Sequence, residues 1–279
     1  MRTIPLKSAV LISLLFSSCV TPVYYQVYKA TPVSKLSANS QTLDYEDDKC
    51  RVTYNLWQKN GNFGFWFINK SDQPLFLHLE QCFFVKNGVA YNYYKHRTFT
   101  SSTTNTVTSG RSSRYASAIA FSENAGQLIS NGVQTTRTTG AATASEYAVT
   151  YQEERMVCIP PKTSRYFFEY TINEQLYRDC ELFRYPLKRQ IKTKSFSQAE
   201  SPFVFSNRLA YSAGDTSTIV TFENAFFISS ITNYPEREIT EYTAEEFCRQ
   251  KSYNNTLQLK GAAPDKFYIQ YLKTDTWKH

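Results

Sequence analysis

The stretch CFFVKNGVAYNYY, residues 82–94, decides the fold. Two runs of aromatic and β-branched residues flank Asn87-Gly88, and Asn-Gly is the pair that accepts positive φ at both central positions of a type I′ turn. That turn twists in the same sense as two paired antiparallel strands, so the stretch predicts a β-hairpin.

The same grammar extends in both directions. RVTYNLWQ from residue 51 and FGFWFIN from residue 63 are separated by KNGN, a second Asn-Gly hairpin cue at Asn60-Gly61. PLFLHL (74–79) follows the polar turn chemistry of NKSDQ, and RMVCIP (155–160) is joined to RYFFEYTI (165–172) by PKTS. Strand patterns return in PFVFSNRLAYS from residue 202, STIVTFENAFFISSI from residue 217 and KFYIQYL near the end. With 21 Tyr and 20 Phe against 9 Gly, the composition suits pleated, half-buried surfaces. Thr243 with Glu246 forms a capping box that predicts one short C-terminal helix over TAEEFCRQK. The expected fold is all-β, an immunoglobulin-like β-sandwich over residues 50–279. It is interrupted by a Ser/Thr-rich excursion at about 100–145, in which Ser122 caps a short helix over 123–129. LEQCFFV (79–85) and FENAFFI (222–228) echo each other in pattern, as a duplicated motif or by chance.

The N-terminus reads differently. Arg2 and Lys7 precede the apolar run SAVLISLLF (8–16), and Ser17-Ser18 supply the small-residue exit of a secretory signal peptide over residues 1–18. The run is too short for a bilayer-spanning helix, which needs about 20 apolar residues. FSSC looks like a bacterial lipobox with Phe16 in the position usually held by Leu, and it marks Cys19 for lipidation. Acyl chains on Cys19 would make membrane lipid the first partner. Residues 19–49, with two early prolines and the acidic DYEDDK, are expected to be an extended tether with room for one early strand.

The chain has 279 residues and a net charge of +7, enough for one large or two small domains with real cores. Removal of the leader takes away Arg2 and Lys7 and no acid, leaving a mildly basic protein. Its densest cluster, LKRQIKTK (187–194), can face anionic headgroups or phosphorylated glycans, or stand as a solvated loop. Nucleic acid is excluded as a partner because neither a denser basic stripe nor a reader motif is present. Five cysteines follow Cys19, so an exported chain keeps at least one thiol unpaired if its bridges are intramolecular. Cys50 and Cys180, both in polar settings, are the candidate disulfide pair, and Cys82 reads as a small buried hydrophobe.

Catalytic chemistry is not legible. Cysteine and histidine spacings give no metal site, and neither a GxSxG elbow nor a phosphate-binding glycine loop occurs. His78 is expected on the more polar face of a strand, His96 sits in YKHR, and His279 is the last residue, expected to fray. The acid pairs Asp47-Asp48, Glu153-Glu154 and Glu245-Glu246 alternate faces if extended, so none is a dyad by itself. Carboxylates distant in sequence can still meet, as in glycosidases. No catalytic residue and no cofactor is therefore assigned.

YYQVYKATP (24–32), CRVTYNLW (50–57), FFVKNGVAYNYYKHRTF (83–99), IPPKTSRY (159–166) and ITNYPE (231–236) resemble uncharacterised cell-envelope lipoproteins of the Bacteroides type, along most of the mature chain. The resemblance implies a location and no mechanism. Surface-exported members of such envelopes often carry acidic residues just after the lipidated Cys, and VTPVYYQVY has none, which implies the periplasmic face of the outer membrane. Two functions follow as expectations. The first is a non-catalytic binding or structural module contacting another envelope component. The second is a glycan-binding accessory protein, suggested by the aromatic surplus with Trp57, Trp66 and Trp277.

Overall fold

In the computed structural model, which describes residues 21–33, 36–106, 144–214 and 218–273, the Asn87-Gly88 hairpin forms as expected. Lys86 stands opposite Val89, and Asn87 and Gly88 take φ of 49° and 81°. The leader, Cys19, the helix expected at 123–129, most of the Ser/Thr-rich excursion, Trp277 and His279 lie outside the described residues.

The strands in chain order are β1 Val23–Pro32, β2 Ser37–Ala38, β3 Leu43–Glu46, β4 Cys50–Tyr54, β5 Phe65–Asn69, β6 Leu75–His78, β7 Phe83–Lys86, β8 Val89–Asn92 and β9 Thr98–Thr106. They continue with β10 Ala144–Gln152, β11 Met156–Ile159, β12 Ser164–Phe167, β13 Thr193–Ser195, β14 Val204–Ala213 and β15 Ile219–Pro235. A single helical turn, α1 Glu236–Ile239, precedes β16 Thr240–Phe247, β17 Gln250–Leu259 and β18 Lys266–Leu272. The protein is all-β, with one short helix among the described residues.

A nine-stranded antiparallel sheet runs β11-β6-β14-β15-β1-β18, with β13 joining β15 and the β7–β8 hairpin joining β14. A second sheet of five strands runs β12-β5-β4-β3-β2. The pairs β9–β10 and β16–β17 form two further two-stranded sheets. The two larger sheets share an aromatic core: Tyr54 and Phe63 meet Phe226 at 5.8 Å, and Phe67 meets Tyr211 at 5.7 Å between ring centroids. Period-two alternation in β4 and β5 turns Val52, Tyr54, Phe65 and Phe67 inward, all fully buried. Gly61 has φ of 76°, and a Cβ there would come within 2.7 Å of the Ile172 side chain, so only glycine fits this turn.

Several expectations need correction. Residues 19–49 are not a tether over their described part. Val23–Pro32 is an interior strand, flanked by β15 on one side and β18 on the other. Pro22 and Pro32 bracket this strand without interrupting its ladder. Leu43–Glu46 belongs to the second sheet, and Asp47 closes the turn into β4 by accepting the Cys50 N–H at 2.7 Å. The helix expected from Thr243 is strand β16, because pairing with β17 outweighs one capping box; Tyr242 faces Leu257 and Thr243 faces Thr256. The helical turn lies earlier, directly after Pro235. The ends of the Ser/Thr-rich stretch are ordered too, with Thr98–Thr106 paired to Ala144–Gln152. The FENAFFI echo is no structural repeat: its first copy begins in a 3-10 turn at Leu79–Gln81, its second is continuous strand, and the two flank β14 on opposite sides.

The expected Cys50–Cys180 bridge is absent. Cys50 is buried with its thiol 3.4 Å from Asp47 Oδ2, and Cys180 is exposed; both are free thiols. Burial and the Asp47 charge raise the Cys50 thiol, and burial pushes Cys82 up to about 12, so neither forms thiolate near neutral pH. Cys158, Cys180 and Cys248 are exposed. Ellman's reagent should therefore modify these three within minutes in the folded protein, and Cys50 and Cys82 only after denaturant is added. Fast labelling of Cys50 would contradict the buried placement of β4.

Candidate functional site

Beside the start of β1, a cavity of about 380 Å³ opens between three strands and the irregular segment of residues 174–187. Gln26 of β1, Asn233 of β15 and Tyr271 of β18 form its floor; Tyr177, Asp179, Arg184 and Tyr185 come from the overlying segment. Gln26 pairs with Asn233 in register, so alternation aims both amides at one face of the sheet.

The floor is held by a closed set of hydrogen bonds. Gln26 Nε2 donates to Asn233 Oδ1 at 2.8 Å and to the Tyr177 carbonyl at 2.9 Å. Gln26 Oε1 accepts from the Tyr28 hydroxyl and from the Tyr177 N–H at 2.8 Å. Asn233 Nδ2 donates to the Phe183 carbonyl at 2.9 Å, and the Tyr271 hydroxyl donates to the Arg184 carbonyl. These bonds pin a segment without regular structure onto the sheet. Buried polar groups satisfied in this way fix geometry, because losing one partner leaves the other stranded.

One wall is aromatic. Tyr24 packs on Tyr185 at 5.2 Å and on Tyr271 at 5.8 Å, and the Arg184 guanidinium lies 5.2 Å from the Tyr185 ring. Burial raises the Tyr271 phenol, which stays neutral and donates a hydrogen bond. The acid on the rim is compensated: Lys194 Nζ lies 2.5 Å from Asp179 Oδ2, and that hydrogen bond lowers the Asp179 carboxyl. Arg184 Nε is buried without a hydrogen-bond partner among the described residues.

A shallower depression of about 490 Å³ lies between Tyr91, Tyr94, Lys95, His96 and Tyr170. Next to it, Arg97 holds two carboxylates from distant parts of the chain, Glu153 at 2.5 Å and Glu169 at 2.9 Å. Burial alone would raise Glu153, but Arg97 and the Lys95 and Arg97 backbone N–H groups win and lower it. The same direction holds for Glu46, Glu200 and Glu223, lowered by hydrogen bonds from Lys70, Ser197 and Ser206. No carboxyl group among these has the raised affinity for protons that a general acid needs.

His78 is buried, and its Nε2 lies 3.0 Å from Ser212 Oγ, a polar partner on the neighbouring strand β14. His96 sits beside Tyr94 at the depression. No group of His, Cys, Asp and Glu side chains able to hold a metal ion occurs among the described residues, and no helix there is long and apolar enough to cross a membrane. Trp66 is 47% exposed and packs on Tyr166, and Trp57 is half-buried against Tyr268; neither reaches the cavity. The cavity residues were missed in the sequence. The available signal was Gln26, the one amide in the aromatic and β-branched run VYYQVY; Asn233 stands in the mixed run SSITNYP and gave none, though both amides are buried. No protein family, curated protein or solved structure matches the chain.

Proposed function

We propose that this chain is a lipid-anchored binding module of the bacterial cell envelope, held through acyl chains on Cys19, whose tyrosine and amide cavity receives a sugar ring. The cavity carries the reading. Sugars present an apolar face and a rim of hydroxyls, and Tyr24, Tyr185 and Tyr271 offer aromatic surface beside fixed amides and an arginine. Its volume of about 380 Å³ lies at the small end of ligand pockets and suits one or two rings. Asp179, the acid on the cavity rim, is held ionised by Lys194 and is not poised as a proton donor. The resemblance to Bacteroides-type envelope lipoproteins supports the address, and the stretch after Cys19, free of acids up to Asp44, supports the periplasmic face of the outer membrane. An immunoglobulin-like sandwich is our reading of the two antiparallel sheets over their shared aromatic core.

Saturation-transfer NMR against glucose, N-acetylglucosamine and galacturonate, and disaccharides of each, tests the ligand class. At least one should bind with sub-millimolar to millimolar affinity. Tyr185→Ala should weaken it about tenfold by removing the stacking wall. If none transfers magnetisation, or Tyr185→Ala leaves binding unchanged, the sugar assignment fails.

A further inference from the structure

We propose that the end of the body nearest Cys19 is a seat for an anionic phospholipid surface, built from the loop of residues 187–192 and the base of the β16–β17 hairpin. The proposal deepens the lipid-anchor reading and rests on it for the direction the body faces.

The placement follows from strand order. Val23 opens β1 opposite Leu272, and the Lys273 N–H donates to the Pro22 carbonyl at 2.9 Å. Cys19 precedes Val23 by four residues, so along any path it lies within about 14 Å of this end. Tyr24 also pairs with Pro235, which brings α1 and the hairpin that follows it to the same end. The Lys260 N–H donates to the Ile239 carbonyl at 2.6 Å and closes the hairpin base there. Lys188 reaches Glu238 of α1 at 3.2 Å, so the basic loop lies alongside. Three pieces far apart in sequence thus meet where the anchor must emerge.

Their chemistry is that of a membrane interface. Leu187 is 57% exposed where it opens the single turn of residues 188–190, and Tyr242 and its cross-strand partner Leu257 are 73% and 44% exposed near the hairpin base. Lys188, Arg189 and Lys192 are exposed around Leu187, and Arg237 and Lys273 add charge at the same end. Among the described residues, α1 and the start of β16 carry Glu236, Glu238 and Glu241, three acids against the five cations Lys188, Arg189, Lys192, Arg237 and Lys273, and Glu238 is engaged by Lys188. The β16–β17 pair hydrogen-bonds to no third strand among the described residues, and an isolated hairpin with exposed aromatics gains stability from a surface that covers it. Cations beside an anionic leaflet each strengthen partitioning several-fold, and aromatic and leucine side chains enter the headgroup boundary. A seated body also holds the tyrosine cavity close to the bilayer, within reach of membrane-borne glycans.

The test uses the whole mature chain carrying Cys19→Ser, so that acylation plays no part. Co-sedimentation with vesicles of phosphatidylcholine alone and of phosphatidylcholine with 30% phosphatidylglycerol should show binding to the anionic vesicles only, reversed by 0.5 M salt. The triple variant Lys188→Gln, Arg189→Gln, Lys192→Gln should lose at least about tenfold in partitioning, and Tyr242→Ser with Leu257→Ser a similar amount. Circular dichroism confirms that these surface variants fold. Equal binding to both vesicle types, or wild-type binding by the triple variant, overturns the seat. Palmitate labelling of native Cys19 is read separately: labelling without vesicle binding removes the seat and keeps the anchor, and vesicle binding without labelling keeps the lipid affinity but removes the anchor that orients it.

Discussion

Cys19→Ala is expected to abolish palmitate incorporation and move the protein from the membrane fraction to the soluble envelope fraction at physiological salt. The size of the effect follows from the physics of acylation. Each buried methylene contributes about 0.8 kcal/mol, yet a single acyl chain binds a bilayer only marginally, with an association constant of about 10⁴ M⁻¹. Durable retention needs several chains on one residue, so removing the thiol that carries them removes the whole anchor at once. The seat proposed for residues 187–192 and the hairpin base then predicts a weak remainder: the variant should still associate with membranes at low salt and leave them at 0.5 M. Continued retention of Cys19→Ala at high salt, or unchanged labelling, would remove the lipidation site and the envelope address with it. The outcome is independent of folding, because Cys19 precedes the first strand by four residues.

Strand identity was legible where local chemistry decides it. Asn87-Gly88 specifies its turn by itself, and the runs that became β6, β11, β14, β15 and β18 carry the residue types that pleated sheets bury. What failed was every inference in which a distant partner decides. The segment 23–32 looked like a tether because two prolines and no helical period mark it; the strands that pair with it lie far along the chain, at Phe226 to Pro235 and Lys266 to Leu272. The residues 243–247 carry a sound capping box, but the cross-strand pairs with β17 are made instead of helical bonds. The cysteines show the same limit. Polar neighbours suggested a bridge from Cys50 to Cys180, yet Asp47 turns back to accept hydrogen bonds from the Cys50 amide and thiol and also accepts the Tyr211 hydroxyl at 2.8 Å. The cavity was the least legible part. Its floor joins residues 26, 233 and 271, and its wall is an irregular segment whose position depends on backbone carbonyls that Gln26, Asn233 and Tyr271 happen to reach.

Phe63→Ala should destabilise the fold by about 4 kcal/mol, the range found when a fully buried Phe is truncated and its site cannot collapse. Phe63 lies outside regular strand, between β4 and β5, with its N–H bound to the Tyr170 carbonyl at 3.2 Å. Its ring is completely buried and meets Tyr54 at 5.7 Å, Phe84 at 5.3 Å, Phe205 at 5.0 Å and Phe226 at 5.8 Å. Those partners divide between the two large sheets: Tyr54 belongs to the five-stranded one, and Phe84, Phe205 and Phe226 belong to the nine-stranded one. Truncation therefore removes the ring on which both sheets close, and rigid aromatic neighbours on several sides leave little room for relaxation. Urea unfolding should show a lower midpoint at an unchanged slope, with both sheets lost in one transition. Thermal unfolding should shift down by about 10 °C. Trp66→Ala is the internal comparison: Trp66 is 47% exposed and packs at a tilt on Tyr166 at 5.2 Å, so it should cost about 1 kcal/mol. If Phe63→Ala proved as mild as Trp66→Ala, Phe63 would not be the ring on which the two sheets close, and the rigidity of the platform under the cavity would rest on the other cross-sheet pairs, Tyr54 with Phe226 and Phe67 with Tyr211.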